Sequence, residues 1–398
     1  MTSIAFFAHD ENDAAVLRRL RAFEANSFDV RGFAMRRTGR NKDGWARVDL
    51  GRTYDGRLVH RLGRIAAGAG KAAAARALLA SCDVVYARNL DMLLCAHLAL
   101  RKARLSKPVI YECLDIHRLM HRRDALGLFM RFMERWLLQK TALLVVSSPA
   151  FLCEYFEIYH AGAYKACLVE NRMAQHELLP PRPQARADIP YGDRPLRIGW
   201  FGVLRCRRSL ALLEAVARHH EGRVEIVMHG FADIALPDFH DRIKRHQNMR
   251  YCGRYRSPED LAKIYADVDL IWAGDFHDAG FNSRWLLPNR IYEGGYFGVP
   301  AIAPADSETG RWLKARGAGF MLREPLESSL PDLVGRLIVK HEKIKAIRQR
   351  LLHLPAWVFI QPDCEMKHVI MQALPEKQLE AYERPRVLNT HQYEYGTN

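Results

Sequence analysis

The sequence predicts an α/β protein made of two doubly wound domains that face each other across a cleft. Three observations carry this expectation. Short continuous apolar runs alternate with longer helix-like stretches from the first residues onward, the pattern of a parallel sheet covered on both faces. A proline-rich passage with Pro180, Pro181, Pro183, Pro190 and Pro195 then interrupts that rhythm. After it the alternation resumes, so that two strand–helix series are joined by an exposed linker. The 398 residues fit two domains of ~100–200 residues each.

Taken in order, Ile4–Ala8 reads as the first strand and Asp13–Ala25 as the helix behind it. Phe28–Met35, Val84–Ala87, Pro108–Tyr111, Leu143–Ser147 and Ala166–Glu170 are further β-type runs, each flanked by helical or turn-forming sequence. Beyond the linker come Leu196–Phe201, Val224–Met228, Met249–Cys252, Val268–Trp272, Pro300–Ala303 and Gly319–Leu322. Helices between them include Ser209–His219, Pro258–Asp267 and Pro288–Phe297. The expected division is a first domain over 1–180, a linker over 181–195 and a second domain over 196–355. A C-terminal helix or tail over 356–398 either returns to the first domain or frays. There is no internal repeat and no low-complexity tract.

Composition narrows the function. Hydrophobic residues make up 49% and charged residues 26%, which supplies ample core and excludes wholesale disorder. Eight cysteines lie far apart, with no CxxC or His/Cys knuckle to seat zinc, so reduced thiols and no metal are expected. The opening residues lack the basic start and apolar length of a secretion signal, and no stretch of about 18 residues is free of charge. The formal charge is +15, carried mostly by the first half. A basic half expects a polyanionic neighbour: nucleic acid, an anionic membrane surface or a phosphorylated substrate.

The sharpest chemical signal is Leu287-Pro288-Asn289-Arg290-Ile291-Tyr292-Glu293-Gly294-Gly295, which runs on to Gly298, Pro300 and Ile302. Proline at the first helical position starts a helix, and Gly298 with Pro300 ends it. Free amides and dipole at such a helix start favour a phosphate. Arg290 adds a charge-assisted contact, and Glu293, one turn on, is placed to accept hydrogen bonds from two ribose hydroxyls. The alternative is a surface helix with a solvated Arg and Glu.

This block resembles the "P-N-K-x-x-E-x-x-x-x-G-x-P-V-I" signature of GT-B glycosyltransferases, with Arg290 in place of Lys. In that family the acidic residue binds the ribose of a sugar nucleotide, which implies Glu293, Asn289 and Arg290 as donor-binding residues. Ile198-Gly199-Trp200-Phe201-Gly202 resembles the glycine turn that follows the first strand of the second domain. The cations beyond it, Arg205, Arg207 and Arg208, are the candidates for the donor diphosphate, with plain surface charge as the alternative. Around Gly253, Met249–Tyr255 resembles the segment whose backbone packs near the nucleobase. Leu261–Ile271 resembles a structural element in which Asp269 caps or pairs. Ile110-Tyr111-Glu112-Cys113-Leu114-Asp115-Ile116-His117 resembles the strand end that faces the acceptor. Asp115 takes the acidic position there as the catalytic base, Glu112 and His117 compete with it, and helix capping by Asp115 is the bland alternative. Ser147 and Asn171 fall near the cleft by similar resemblances.

One departure matters. Many retaining members carry two glutamates separated by seven residues, and the first of these positions is Trp285 here. Asp275 or Asp278 would have to replace it, and a single displacement with inversion, using one base, is the expectation. The resemblance implies two Rossmann-like domains and a nucleotide-sugar donor, UDP-linked by expectation, as substrate rather than cofactor. It also implies a polyprenyl-diphosphate-linked or other glycan acceptor in exopolysaccharide or lipopolysaccharide assembly. Residues His117–Lys140 are basic with Leu126, Phe129, Met130, Met133, Trp136 and Leu137 near helical spacing, which suits a lipid interface or simply a domain core. No helix-turn-helix, zinc finger or RNP-type motif speaks for nucleic acid. The expected location is therefore cytoplasmic, peripheral to the inner membrane. A nucleotide-sugar epimerase and a non-catalytic nucleotide- or nucleic-acid-binding protein on the same scaffold are the alternatives.

Overall fold

The computed structural model describes residues 1–37, 44–52, 58–175, 177–184, 194–232, 235–278 and 282–375. Most of the predicted linker (185–193) and the tail from 376 lie outside the described residues. The first sheet holds β1 (Ser3–Ala8), β2 (Asp29–Arg36), β3 (Ala46–Arg52), β4 (Val84–Arg88), β5 (Val109–Cys113), β6 (Leu143–Val146) and β7 (Ala166–Leu168). They run in the order β3-β2-β1-β4-β5-β6-β7, parallel throughout. The two-residue β8 (Met173–Ala174) follows. The second sheet holds β9 (Leu196–Leu204), β10 (Val224–Ala232), β11 (Met249–Tyr251), β12 (Leu270–Trp272), β13 (Ala301–Pro304) and β14 (Gly319–Leu322). Its order is β11-β10-β9-β12-β13-β14, again all parallel.

These strands form where the sequence has unbroken apolar runs because both faces of each sheet are covered. In β1 every residue is buried. Ala5 and Phe7 point into a core shared with the helices Leu58–Ala74, Leu90–Ala103 and Ala125–Leu138, while Ile4, Phe6 and Ala8 point into the opposite one. In the second domain Trp200 and Trp272 pack towards the helices Arg207–His219 and Leu326–Val339. Phe201 and Ile271 pack towards Leu261–Ala266, Asn289–Tyr296 and Glu308–Arg316. Each such large side chain contributes about 1.5–3 kcal/mol by leaving water.

Strand β3 escaped the sequence reading for a physical reason. It is an edge strand of which only Leu50 is buried, so its apolar signal is too weak to register. The last described segment crosses back to the first domain. A short strand, β15 (Ile360–Gln361), pairs in parallel with β8, and the helix Asp363–Ala373 follows it. Its Met366, Val369 and Ile370 join the core of Phe6, Phe23 and Tyr86.

Candidate active site

In doubly wound sheets ligands gather outside the carboxyl ends of the strands, at the point where strand order reverses. That point lies between β9 and β12 in the second sheet and between β1 and β4 in the first. The helix Asn289–Tyr296 packs against β12 and β13. Pro288 occupies its cap position rather than its first turn, with φ −73° and ψ 143° and no side-chain cap bond. The helix lies against the last crossing so closely that a Cβ on Gly295 would meet the Phe359 ring at 2.3 Å.

Glu293 is buried, at 6% exposure, and its Oε2 accepts a 2.8 Å hydrogen bond from the Tyr265 hydroxyl. It lines a narrow cavity between the domains together with Asn289, Ser257, Arg18, Asn171 and Glu177. Burial pushes its carboxyl above the ordinary value of 4.5, opposed by the Tyr265 hydrogen bond and the charges of Arg18 and Arg290. Across the domain boundary Asn171 Nδ2 donates to Asn289 Oδ1 at 2.8 Å, and Arg18 Nη1 lies 3.4 Å from Asn171 Oδ1. Asn171, Asn289 and Glu293, far apart in sequence, therefore meet in one crevice. Arg290 is turned towards the sheet, with Nη1 3.4 Å from the Trp272 carbonyl.

A second cavity of about 190 Å³ lies at the ends of β12 and β13, and of the other predicted residues Arg208 and Asp275 line it. Gly202 takes φ +106° near the end of β9, and Gly253 takes φ +81° beyond β11 while its carbonyl accepts from the Gly230 amide. Arg205 pairs with Asp275 at 3.5 Å. Arg208 pairs with Glu324 at 2.8 Å and Glu327 at 3.1 Å, stacks over Phe276, and lines the cavity beside Asp275, Ser307 and Thr309. Arg207 is exposed. Asp269 pairs with Arg194 and accepts from the Arg197 amide, away from both cavities.

On the first domain Asp115 is exposed two residues beyond β5. Its neighbour Ile116 is clamped by the second domain: the Ile116 amide donates to Asn282 Oδ1 at 2.9 Å, and Asn282 Nδ2 donates to the Ile116 carbonyl at 2.8 Å. Two sequence-based alternatives are overturned. Glu112 does not face an acceptor, because it is buried between Arg19, at 2.6 Å, and Arg88, at 3.5 Å. Capping at this turn falls to His117, whose Nδ1 accepts from the Leu119 amide at 3.2 Å. Trp285 packs into the first domain, against His121 and Phe151, and its carbonyl accepts from the Ser148 hydroxyl. Sequence reasoning missed Arg18, Tyr265, Ser257 and Asn282, whose importance lies in contacts across long chain separations.

No family model matches the chain. It is 39% identical over 371 residues to the succinoglycan biosynthesis protein ExoL of Rhizobium meliloti, covering 92% of each chain. Among solved structures it is similar to the sucrose-phosphate synthase of Thermosynechococcus elongatus, with a TM-score of 0.71 and 14% identity, over 96% of this chain and all of that one. HepE of Anabaena in complex with UDP and glucose matches with a TM-score of 0.66 and 15% identity, over 96% and 100% of the two chains. WaaG, a glycosyltransferase of lipopolysaccharide biosynthesis, matches with a TM-score of 0.59 and 10% identity, over 93% and 99%. The two parallel sheets, the crevice between them and the ExoL likeness lead to one conclusion: the chain belongs to the family of the succinoglycan biosynthesis protein ExoL and has the GT-B fold.

Proposed function

We propose that the protein transfers a sugar from a nucleotide-sugar donor, a UDP-sugar, to a lipid-linked saccharide acceptor in bacterial exopolysaccharide or lipopolysaccharide assembly. The observation that carries this reading is Glu293, buried beside Asn289 and Asn171 in a cavity that both domains line. A carboxylate there accepts hydrogen bonds from a ribose, while Arg290 and the Arg205–Arg208 turn supply the positive charge that a departing diphosphate requires. Gly202 and Gly253 let the backbone approach the nucleotide. HepE was solved with UDP and with UDP-glucose, which supports the choice of donor. Asp115 meets the acceptor from the opposite face. Asp275, which lines the 190 Å³ cavity with Arg208, is the carboxylate offered in place of the missing glutamate.

The acceptor's lipid implies work at a membrane surface. No helix among the described residues is long and apolar enough to cross one. The helix Ala125–Leu138 buries Met130 and Leu137 but leaves Leu128, Phe129 and Phe132 more than half exposed, with Trp136 beside them. Ile158 and Tyr159 extend this apolar face, and Arg131 stacks on Tyr159 while Lys140 sits over Trp136. Arg118, Arg122, Arg123 and Arg135 add charge nearby. An apolar strip edged by cations suits an anionic bilayer, each well-placed Lys or Arg adding ~1 kcal/mol. This favours a peripheral cytoplasmic location at the inner membrane.

The test is a panel of radiolabelled nucleotide sugars incubated with the protein, with and without an extract of lipid-linked saccharides. Label passing into lipid is the expected outcome. Interconversion of donors without lipid would indicate an epimerase, and binding without turnover a non-catalytic protein.

A further inference from the structure

The strand end that carries Asp115 and the cavity that Asp275 lines belong to different domains, yet one short segment reaches both. It is the helical turn Asn282–Trp285 with Leu286 after it. Ser283 and Arg284 line the 190 Å³ cavity, while Trp285 and Leu286 pack on the core of the first domain. The segment is held from two sides. Thr309 of the second domain donates its hydroxyl to the Leu286 carbonyl at 3.0 Å, and Ser148 of the first donates to the Trp285 carbonyl. The Ser283 hydroxyl, inside the cavity wall, accepts from the Asp278 amide at 2.9 Å.

Asn282 makes the most direct tie. Only 8% exposed, it pairs with Ile116 as one peptide pairs with another, Oδ1 accepting from the Ile116 amide and Nδ2 donating to the Ile116 carbonyl. Buried backbone groups that lose their partners are costly, so this pairing has one favoured register. Asp115 directly precedes Ile116, and Ser283 directly follows Asn282. A single doubly bonded link therefore stands between the carboxylate offered to the acceptor and a wall of the cavity offered to the donor sugar. Trp285 is a second, independent tie. Its ring enters the first domain rather than the cavity that its neighbours line, with ring centroids 5.0 Å from His121 and 6.5 Å from Phe151.

We infer that Asn282 and Trp285 are positioning residues of the sugar transfer, holding the Asp115 strand end in register with the donor-sugar cavity and so directing the sugar to the acceptor instead of water. The inference rests on the transferase reading above. In transfer the acceptor oxygen bonds to the anomeric carbon and gives its proton to Asp115. The bond from that carbon to the diphosphate breaks, and its electron pair leaves with UDP. Water taking the acceptor's place undergoes the same exchange of bonds and releases free sugar. A bulky saccharide acceptor reacts only when its oxygen is held about 3–3.5 Å from the anomeric carbon, and a misplacement of about 1 Å costs ~10²-fold. Water is small and enters without that register, so loosening the latch penalises transfer far more than hydrolysis.

The experiment uses the full chain, radiolabelled UDP-sugars and the lipid-linked saccharide extract, at a temperature where circular dichroism shows each variant folded. Label entering lipid reads transfer, and UDP released in excess of that label reads hydrolysis. Asn282→Ala and Trp285→Leu lower the transfer kcat by ~10–10²-fold. Hydrolysis persists, so the hydrolysed fraction of donor rises by about tenfold, and the Kd for UDP stays within about threefold because Glu293 and Asn289 line the other cavity. Trp285→Phe, which keeps an aromatic ring against His121 and Phe151, transfers within about threefold of wild type. Trp285→Leu serves if Asn282→Ala does not fold, because it breaks no hydrogen bond. Folded variants that transfer like wild type overturn the inference. So does a loss shared equally by transfer and hydrolysis, or one matched by a rise in the Kd for UDP, since a merely structural clamp acts in those ways. A wild-type chain that binds UDP but transfers nothing overturns the transferase reading and this inference with it.

Discussion

Replacing Glu293 by Gln isolates the charge of the carboxyl proposed to bind the ribose at nearly constant shape. The Gln carbonyl still accepts the Tyr265 hydroxyl that Glu293 Oε2 holds at 2.8 Å, so the buried phenol keeps its partner and the fold keeps its stability. Hydrogen bonds to a charged group are worth about 1.5–3 kcal/mol against about 0.5–1.5 for neutral ones. Two ribose hydroxyls therefore lose ~2 kcal/mol together, a rise of roughly thirtyfold in Kd for UDP. The pH dependence gives an independent handle. Burial raises the Glu293 carboxyl above its ordinary 4.5, so the fold favours the neutral acid. That contribution to stability is fully present below the ordinary value and is lost as pH rises through the raised one. Under the proposed ribose assignment donor binding has the opposite sign, because the carboxylate is the form that accepts from the hydroxyls. Affinity for UDP falls as pH drops through the raised value, by up to about tenfold per pH unit below it. Titration calorimetry with UDP across the mildly acid range reads both effects, with Glu293→Gln flattening the profile. A Gln variant that binds UDP like wild type, with the pH profile intact, refutes the ribose assignment.

Three further outcomes follow from the same geometry. Arg208→Ala removes ion pairs with Glu324 and Glu327 that are largely solvent-exposed, so melting temperature changes little; turnover of a UDP-sugar falls by ~10²-fold or more if this cation stabilises the leaving diphosphate. Asn282→Ala deletes both hydrogen bonds to Ile116 and leaves two buried backbone groups unpaired, costing about 1–3 kcal/mol each, read as a lower melting temperature in calorimetry. Phe129→Ser with Phe132→Ser alters side chains that are 56% and 69% exposed, so the fold is retained. Sedimentation with vesicles containing anionic lipid drops by about tenfold or more, at ~1–2 kcal/mol per lost apolar side chain.

Apart from the edge strand β3, the sheet strands were legible because both faces of each sheet are covered, which writes continuous apolar runs into the chain. Two-residue strands such as β8 and β15 leave no such trace. The helix bearing Glu293 was legible through Pro288 and Gly298, although Pro288 caps the helix instead of entering it. Motif resemblance put Asn171 near the cleft, but its bond to Asn289 is visible only in the structure, since nothing local links positions 118 residues apart. Glu112 and Asp115 show the limit most clearly. Two residues separate two carboxyls at one strand end, and only the fold reveals that Arg19 and Arg88 enclose the first while the second reaches solvent. The basic helix split similarly: its spacing named the buried Met130 and Leu137 together with the exposed Phe129, but missed Phe132 on the outer face.

The return of the chain through β15 to the helix Asp363–Ala373 stitches the domains together at a second seam. The crossing after the last helices of the second domain adds the β8–β15 pairing and the Asp363–Ala373 helix to the contacts that tie the two domains together. The cavity around Glu293 lies next to that seam, since β8, which supplies Met173 to its wall, is the strand that β15 joins. The chain's own return thus acts as a guide that fastens the domains on the side where Glu293 lies. Cutting the chain at residue 355 would remove that guide and also uncover Phe6, Phe23 and Tyr86, damaging the domain that lies farthest from the cut in sequence.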